Sequence, residues 1–274
     1  MSGILYVVGT PIGNLGDLSP RAVRTLGEVD FIAAEDTRVT LKILNHCGIK
    51  KPMVSYYEHN RIERGEMICE RIEAGESCAI VTDAGMPCIS DPGELLVAQC
   101  AQRGITVAAV PGPSAVVTAL ALSGLPTGRF TFEGFLSVNG KSRREHLESL
   151  KDERRTMVFY EAPHKLPNTL KDLYAAFGDR RISIVRELTK LHEEVIRTTL
   201  SAAAERYGEG GIKGEIVLVL EGKPDGAQEK FTPEQAVQLA RELIGGGASV
   251  SDAAKQAAKA TGLKKNEIYR LLVE

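Results

Sequence analysis

The sequence predicts an α/β protein built from two α/β domains followed by a small helical domain. Three observations carry this. Short apolar runs alternate with helical patterns through the first part of the chain, which implies a mostly parallel sheet with helices on both faces. A second stretch then has more strand-like runs than clear helices, which favours a mixed sheet with antiparallel neighbours. Last comes a segment of linker composition, Gly222–Lys230, and a compact helical tail. The expected boundaries are 1–118, 119–226 and 227–274, in keeping with 274 residues at roughly 150 per domain plus an appendage.

Ile4–Val8 is a continuous apolar run and reads as the first strand. Ser19-Pro20 opens a helix, with a capping oxygen and a proline at the first helical position. Phe31–Ala34, Met53–Tyr56, Cys78–Thr82 and Ile105–Val110 complete the first strand set. Between them lie helices over Val39–Cys47, Ile62–Ala74 and Glu94–Arg103, stopped by Gly48, Gly75 and Gly104 as left-handed caps. The apolar stretch Ala115–Leu122 reads as a helix, either core or interface. The second set of strands is Phe130–Phe135, Thr156–Tyr160, Ile182–Arg186, Val195–Thr199 and Ile216–Glu221, with helices at Arg143–Lys151 and Leu166–Phe177. In the tail, Thr232-Pro233-Glu234-Gln235 has capping-box spacing, and Ser251–Ala260 and Lys264–Val273 form a helix-turn-helix pattern.

Composition removes several classes of function. The net charge of −2 leaves nucleic-acid contact to local basic patches rather than a global field. No run reaches the roughly 18 apolar residues of a membrane helix, because Pro111-Gly112-Pro113 interrupts the most apolar region. Met1-Ser2-Gly3 lacks the basic start of a signal peptide, so we expect a cytoplasmic protein. The five cysteines are odd in number and never spaced C-x-x-C, and we read them as reduced thiols, with no metal site.

Chemistry in open α/β sheets sits beyond the carboxyl ends of strands. There this sequence places Gly9-Thr10-Pro11-Ile12-Gly13-Asn14, Glu35-Asp36-Thr37-Arg38, Thr82 to Gly93, Pro111 to Ala115, and Glu161-Ala162-Pro163-His164. One Gly- or Pro-rich loop only turns the chain; several on one edge point to a cleft. Gly9, Gly13 and Gly16 give G-x-x-x-G-x-x-G, not a dinucleotide fingerprint, and no phosphate-binding loop or G-x-S-x-G elbow occurs. A ligand held by backbone and apolar contacts fits better.

The motifs GTPIGNLGDLSPRA, AAEDTR, TDAGMPCISDPG, VPGPSA and EAPHK, in this order, closely resemble the tetrapyrrole methylase superfamily of S-adenosylmethionine (SAM) enzymes. Within it, they are similar to the branch that methylates a cytidine ribose 2′-oxygen in 16S rRNA of the small ribosomal subunit. The chain lacks the G-x-G-P-G and G-G-D-P turns of the porphyrin-precursor members, having Gly9-Thr10-Pro11-Ile12-Gly13 and Thr82-Asp83-Ala84-Gly85 instead.

The resemblance implies the class III SAM methyltransferase fold, with SAM between the two α/β domains, and a homodimer. It implies that Pro11, Asp83, Ala84, Gly85, Ile89, Ser114, Ala115, Glu161, Pro163 and Glu187 contact the cofactor, with Ala162 beside them. A 2′-hydroxyl needs a base, and Asp36, Asp83 and Glu187 are the candidates, with His192 and Lys190 behind them. Asp36 has an alternative role as a salt-bridge partner of Arg38. The RNA-binding candidates are Arg38, Arg143, Arg144, Lys255, Lys259, Lys264 and Lys265; Lys255 and Lys259 are four apart and share a helix face. Aromatics are 5% with no tryptophan. Tyr56, Tyr57, Phe135 and Tyr160 therefore read as core rather than as a stacking platform. Two other readings stand beside this one: a methylase of a tetrapyrrole or other small molecule, and a non-catalytic RNA-binding factor that keeps the fold.

Overall fold

The computed structural model describes residues 2–209, 211–224, 232–261 and 263–273. The chain divides into two compact units, Met1–Lys151 with Arg155–Glu221, and Asp152–Arg154 with Gly222–Glu274. The boundary expected at 226/227 lies outside the described residues, as does most of the expected linker.

The larger unit holds two five-stranded sheets. The first runs β3 (Met53–Ser55), β2 (Phe31–Ala34), β4 (Cys78–Val81), β1 (Ile4–Val8), β5 (Thr106–Val110), with every pairing parallel. Strand alternation sorts its side chains onto two faces. Leu5, Val7, Phe31, Ala33, Cys78 and Ile80 pack against α3 (Arg61–Glu73) and α4 (Gly93–Gln102). Val8, Ile32, Ala34, Ala79 and Val81 pack against α1 (Pro20–Glu28) and α2 (Thr37–His46). Burial on both faces is why these strands read as unbroken apolar runs. The cysteines are all free thiols, and Cys69, Cys78 and Cys100 lie in this core. Burial pushes the Cys100 thiol up to about 12, which suppresses its reactivity.

The second sheet runs β6 (Phe130–Phe135), β7 (Thr156–Glu161), β10 (Ile216–Leu220), β8 (Arg181–Arg186), β9 (Glu194–Thr199). Only β6 and β7 pair in parallel. One face, with Val158, Val185, Val217 and Val219, is covered by α5 (Ala115–Ser123) through Val116, Ala119 and Leu120. The apolar helix flagged in the sequence therefore buries its inner side on this sheet. The other face carries α6 (Gly140–Ser149), α7 (Leu166–Phe177) and α8 (Leu200–Tyr207). Helix α8 is absent from the sequence-based expectation. It buries Leu200, Ala203 and Tyr207, and so small an apolar face gives little periodic signal.

Strand direction decides what reaches the edge shared with β7's carboxyl end. Ile216 pairs with both Glu161 and Arg186, so β7 and β8 end where β10 begins. A mixed sheet therefore presents strand starts as well as strand ends at one edge.

The smaller unit contains α9 (Pro233–Gly245), α10 (Val250–Thr261) and α11 (Lys265–Val273). The predicted capping box is formed: Gln235 N donates to Thr232 Oγ1 and Thr232 N donates to Gln235 Oε1. Its core is mostly alanine, with Ala236, Ala240, Ala253, Ala254, Ala257 and Ile268 buried, and small side chains let the helices approach closely. Among the described residues, no helix is long and apolar enough to cross a membrane.

Candidate active site

Strands β4 and β5 flank β1, so the loops leaving them lie on either side of the loop after β1. These loops are stitched by backbone. Thr10 N donates to Gly85 O at 2.9 Å, Gly85 N returns a bond to Thr10 O at 3.2 Å, and Thr10 Oγ1 donates to Thr82 O. Gly9 and Gly112 meet backbone to backbone: a Cβ on Gly9 would stand 2.6 Å from Gly112 Cα, and one on Gly112 2.8 Å from Gly9 Cα. Glycine is required at both because no side chain fits. The same first loop touches the second sheet, since a Cβ on Gly13 would lie 2.8 Å from the carbonyl oxygen of Leu188 after β8.

Where these loops converge, a cleft of about 400 Å³ opens. The first half supplies Ile12, Glu35, Thr82, Ala84, Gly85, Met86, Ile89, Ser90, Asp91, Ser114 and Ala115. The second supplies Phe135, Tyr160, Glu161, Ala162, Pro163, Val185, Leu188, Glu215, Ile216 and Val217. Mostly apolar walls, a few polar groups and this volume are what a small-molecule site of drug-like size requires.

Carboxylates line the cleft from both halves, Glu35 and Asp91 from the first and Glu161 and Glu215 from the second. Glu35 accepts the Thr82 hydroxyl at 2.7 Å and lines the cleft. Partial withdrawal from water, and then the charge of Glu35, push the neighbouring Asp83 carboxyl above its ordinary range. Its Oδ1 accepts the Asp36 amide at 3.1 Å. Asp91 is also pushed up, mainly by burial. Its Oδ1 accepts the amides of Cys88 and Gly93, which holds a loop where Cys88 and Ser90 adopt φ of 72° and 62°. Asp91 Oδ2 is buried without a partner, closed to water. Asp91 is thus an organiser of the loop rather than a group a substrate can reach.

The expected site residues separate into two sets. Ala84, Gly85, Ile89, Ser114, Ala115, Glu161 and Pro163 all line the cleft. Glu161 is inward-facing and committed, accepting the Ala162 amide at 2.7 Å and the Thr169 hydroxyl. Pro11, Asp36, Asp83 and Glu187 are not among the lining residues, and Asp83 is exposed. Pro11 is buried between Thr10 and Ile12. Asp36 caps α2 and takes three hydrogen bonds from Arg38, which hold its carboxyl down to about 2. Glu187 sits at φ 51°, accepts Lys190 Nζ at 2.9 Å and the Glu215 amide at 3.0 Å, and is lowered by both. Carboxylates so engaged are poor proton acceptors. Asp83 is the one of the three base candidates shifted toward accepting a proton.

The basic candidates also divide. Arg143 is consumed internally: Nε donates to Asp172 at 2.6 Å and Nη2 to Thr169 Oγ1 at 2.8 Å, tying α6 to α7. Arg38 is exposed but paired with Asp36, and Arg144 is exposed. In the smaller unit Lys255, Lys259, Lys264 and Lys265 are all exposed, with Lys255 and Lys259 on the side of α10 away from buried Ala253, Ala254 and Ala257; Lys265 Nζ donates to Ser251 Oγ at 3.0 Å.

Sequence reasoning did not find Tyr160, Val185, Leu188 or the run Glu215–Val217 as lining. The reading of four aromatics as core needs correction. Tyr56 is fully buried, but Tyr57 and Phe135 are exposed at 42% and 59%.

Comparison with known proteins adds to this geometry. Residues 4–204 match the Tetrapyrrole (Corrin/Porphyrin) Methylases, and residues 232–274 match the RsmI C-terminal HTH domain. The chain is 46% identical to Ribosomal RNA small subunit methyltransferase I of Synechocystis sp., covering 99% of this chain and 98% of that protein. It is 51% identical to the protein of the same name from Thermotoga maritima over 81% of this chain and 99% of the relative. Among solved structures, it is similar to a uroporphyrin-III C-methyl transferase from Thermus thermophilus complexed with S-adenyl homocysteine, with TM-score 0.56, 20% identity, and coverage of 80% and 97%. It also resembles a diphthine synthase, with TM-score 0.59, 15% identity, and coverage of 80% and 90%. The likeness to these two structures is one of fold.

Proposed function

Since the chain belongs to the tetrapyrrole methylases, and within them to the family of ribosomal RNA small subunit methyltransferase I, we propose that it transfers a methyl group to the ribose 2′-oxygen of a cytidine in 16S rRNA. The methyl donor is S-adenosylmethionine. The residues present suit that group: an apolar cleft of nucleoside-scale volume, Gly85 in its lining, and carboxylates such as Glu35 that favour a sulfonium cation. Bound there, it supplies a methyl carbon already carrying a good leaving group.

The work left to the chain is positioning, exclusion of water and acceptance of one proton. Ala84, Gly85, Ser114, Ala115 and Pro163 hold the cofactor through backbone and apolar contact. The donor would supply the methyl group, and Asp83 would accept the proton that the 2′-hydroxyl gives up. Asp36 positions Asp83 through its amide and Glu187 fixes the turn after β8. Phosphates of the RNA are met by Lys255, Lys259, Lys264 and Lys265, with Arg38 and Arg144 as further contacts. We infer cytoplasmic action on the small subunit, as a homodimer.

The observation that carries this reading is the convergence of the β1, β4 and β5 loops on one apolar cleft with carboxylates beside it. The test is to incubate the protein with methyl-labelled SAM and, separately, small ribosomal subunits, naked 16S rRNA and a uroporphyrinogen acceptor. Label recovered as 2′-O-methylcytidine supports the reading. Label on a base or on the porphyrinogen redirects it, and no label at all favours a non-catalytic RNA-binding role.

A further inference from the structure

An irregularity in β6 places an aromatic ring where a regular strand would not. Phe132 pairs with Val158, Gly134 with Phe159 and Phe135 with Tyr160, so Glu133 is an extra residue. In a regular strand Phe132 and Phe135, three apart, would point to opposite faces. The bulge, with Gly134 at φ 63°, returns Phe135 to the face of Phe132 and Val158, while Glu133 bonds His146 of α6 at 3.0 Å. Both phenylalanines then pack on Tyr160, with ring centroids 4.9 Å away for Phe132 and 5.5 Å for Phe135. Tyr160 is itself partly buried, packed against the cluster that contains Val116 of α5. Phe135 is therefore supported from behind, yet 59% exposed at the mouth of the cleft.

We propose that the Phe135–Tyr160 pair is the subsite on which the nucleobase of the methylated nucleotide stacks. This rests on the ribose-methylation reading above. A cleft of about 400 Å³ holds one nucleoside-sized ligand. With the methyl donor inside, the target sugar must approach from the rim and its base must lie outside. A nucleotide whose sugar is reached this way leaves its own stack, at a cost of a few kcal/mol. A rigid exposed ring offsets that cost through stacking, with no demand on base identity. The half-exposed Ile89 lines the same mouth and supplies further apolar contact.

The experiment compares wild-type, Phe135→Ala, Phe135→Leu and Phe135→Tyr proteins in methylation of small ribosomal subunits, with S-adenosylhomocysteine affinity measured by calorimetry. Phe135→Ala is expected to lower kcat/KM for the subunit about 10- to 100-fold, the range of base–aromatic stacking. Cofactor affinity stays unchanged, Phe135→Leu remains impaired and Phe135→Tyr recovers. Full activity of Phe135→Leu overturns the proposal, because an apolar filler would then suffice. Equal losses of cofactor affinity and methylation also overturn it, by assigning the ring to the cofactor. A Phe135→p-benzoylphenylalanine protein should photocrosslink at the methylated nucleotide; a crosslink only elsewhere in the RNA sinks the idea. If wild-type protein places no label on the subunit's ribose, the enzymatic reading itself has failed. If it does and Phe135→Ala matches it, only the subsite has.

Discussion

In the parallel sheet every strand ends at the edge where the cleft opens, whereas in the mixed sheet β7 and β8 end there and β10 begins there. The first sheet builds its share of the cleft from loops whose backbones touch, at Gly9 and Gly112 and at Thr10 and Gly85. The second contributes mainly strand-borne side chains, among them Phe135, Tyr160, Val185 and Val217. Parallel topology gathers loops, which glycine and proline can mould. Mixed topology brings pleated faces to the site, where side-chain identity decides the contact.

Breaking the carboxylate side of the first half should have the largest effect. Asp83→Asn is expected to lower kcat on ribosomal subunits by roughly 10²–10⁴, the usual share of a positioned base. Glu187→Gln, in the second half, should leave kcat within about threefold, since it loses a largely structural ion pair. Single-turnover rates measure both. The Asp83 carboxyl is raised, so activity should climb as pH rises through its displaced pKa and level off above it.

Backbone crowding comes next. Gly112→Ala forces a methyl group to 2.8 Å from Gly9 backbone. Overpacking of that kind costs about 1–3 kcal/mol, a fall in the thermal midpoint of several degrees for a chain of this size. S-adenosylhomocysteine affinity should drop at least about tenfold, as the loops spread. A variant with wild-type affinity would show that the cleft does not depend on this contact.

Salt dependence measures the smaller unit on its own terms. Lys255→Ala with Lys259→Ala should reduce the slope of log affinity for 16S rRNA against log salt by about 1.4–1.8 if both meet phosphate. Arg143→Ala should lower thermal stability and leave that slope alone, because its guanidinium is spent on Asp172 and Thr169.

The smallest effect concerns Asp36. Its carboxyl is held at about 2 in the folded chain against an ordinary 3.8. A lowered folded pKa gives stability that is present above pH 4 and lost as pH falls toward 2. Asp36→Asn keeps the cap acceptor and removes the charge, so its stability deficit should be visible at pH 6 and vanish near pH 2 in urea titrations.

What was legible in the sequence follows the same division. The central parallel strands β1, β2 and β4 show as apolar runs because both faces are buried, and the loops of this sheet show through Gly9, Gly85 and Gly112. The start of β10 carries no such punctuation: Glu215, Ile216 and Val217 reach the cleft because β10 runs against its neighbours, and only pairing reveals that. Asp36 and Glu187 have the chemistry of a base, but their partners Arg38 and Lys190 neutralise it; for Asp36 the spacing to Arg38 already offered that alternative. Arg143 looked like a phosphate contact until Asp172, twenty-nine residues away, proved to hold it. Phe135 depended on an extra residue in β6, and counting alternation through Phe130–Phe135 assigns it to the wrong face.

The fit of Gly13 against the carbonyl of Leu188 has a mechanical consequence. It acts as a shim between two plates: the loop of one sheet rests on the turn of the other with no slack for a methyl group. A hinge opening between the sheets would have to break that contact, so the close fit at Gly13 ties the first loop to the turn after β8.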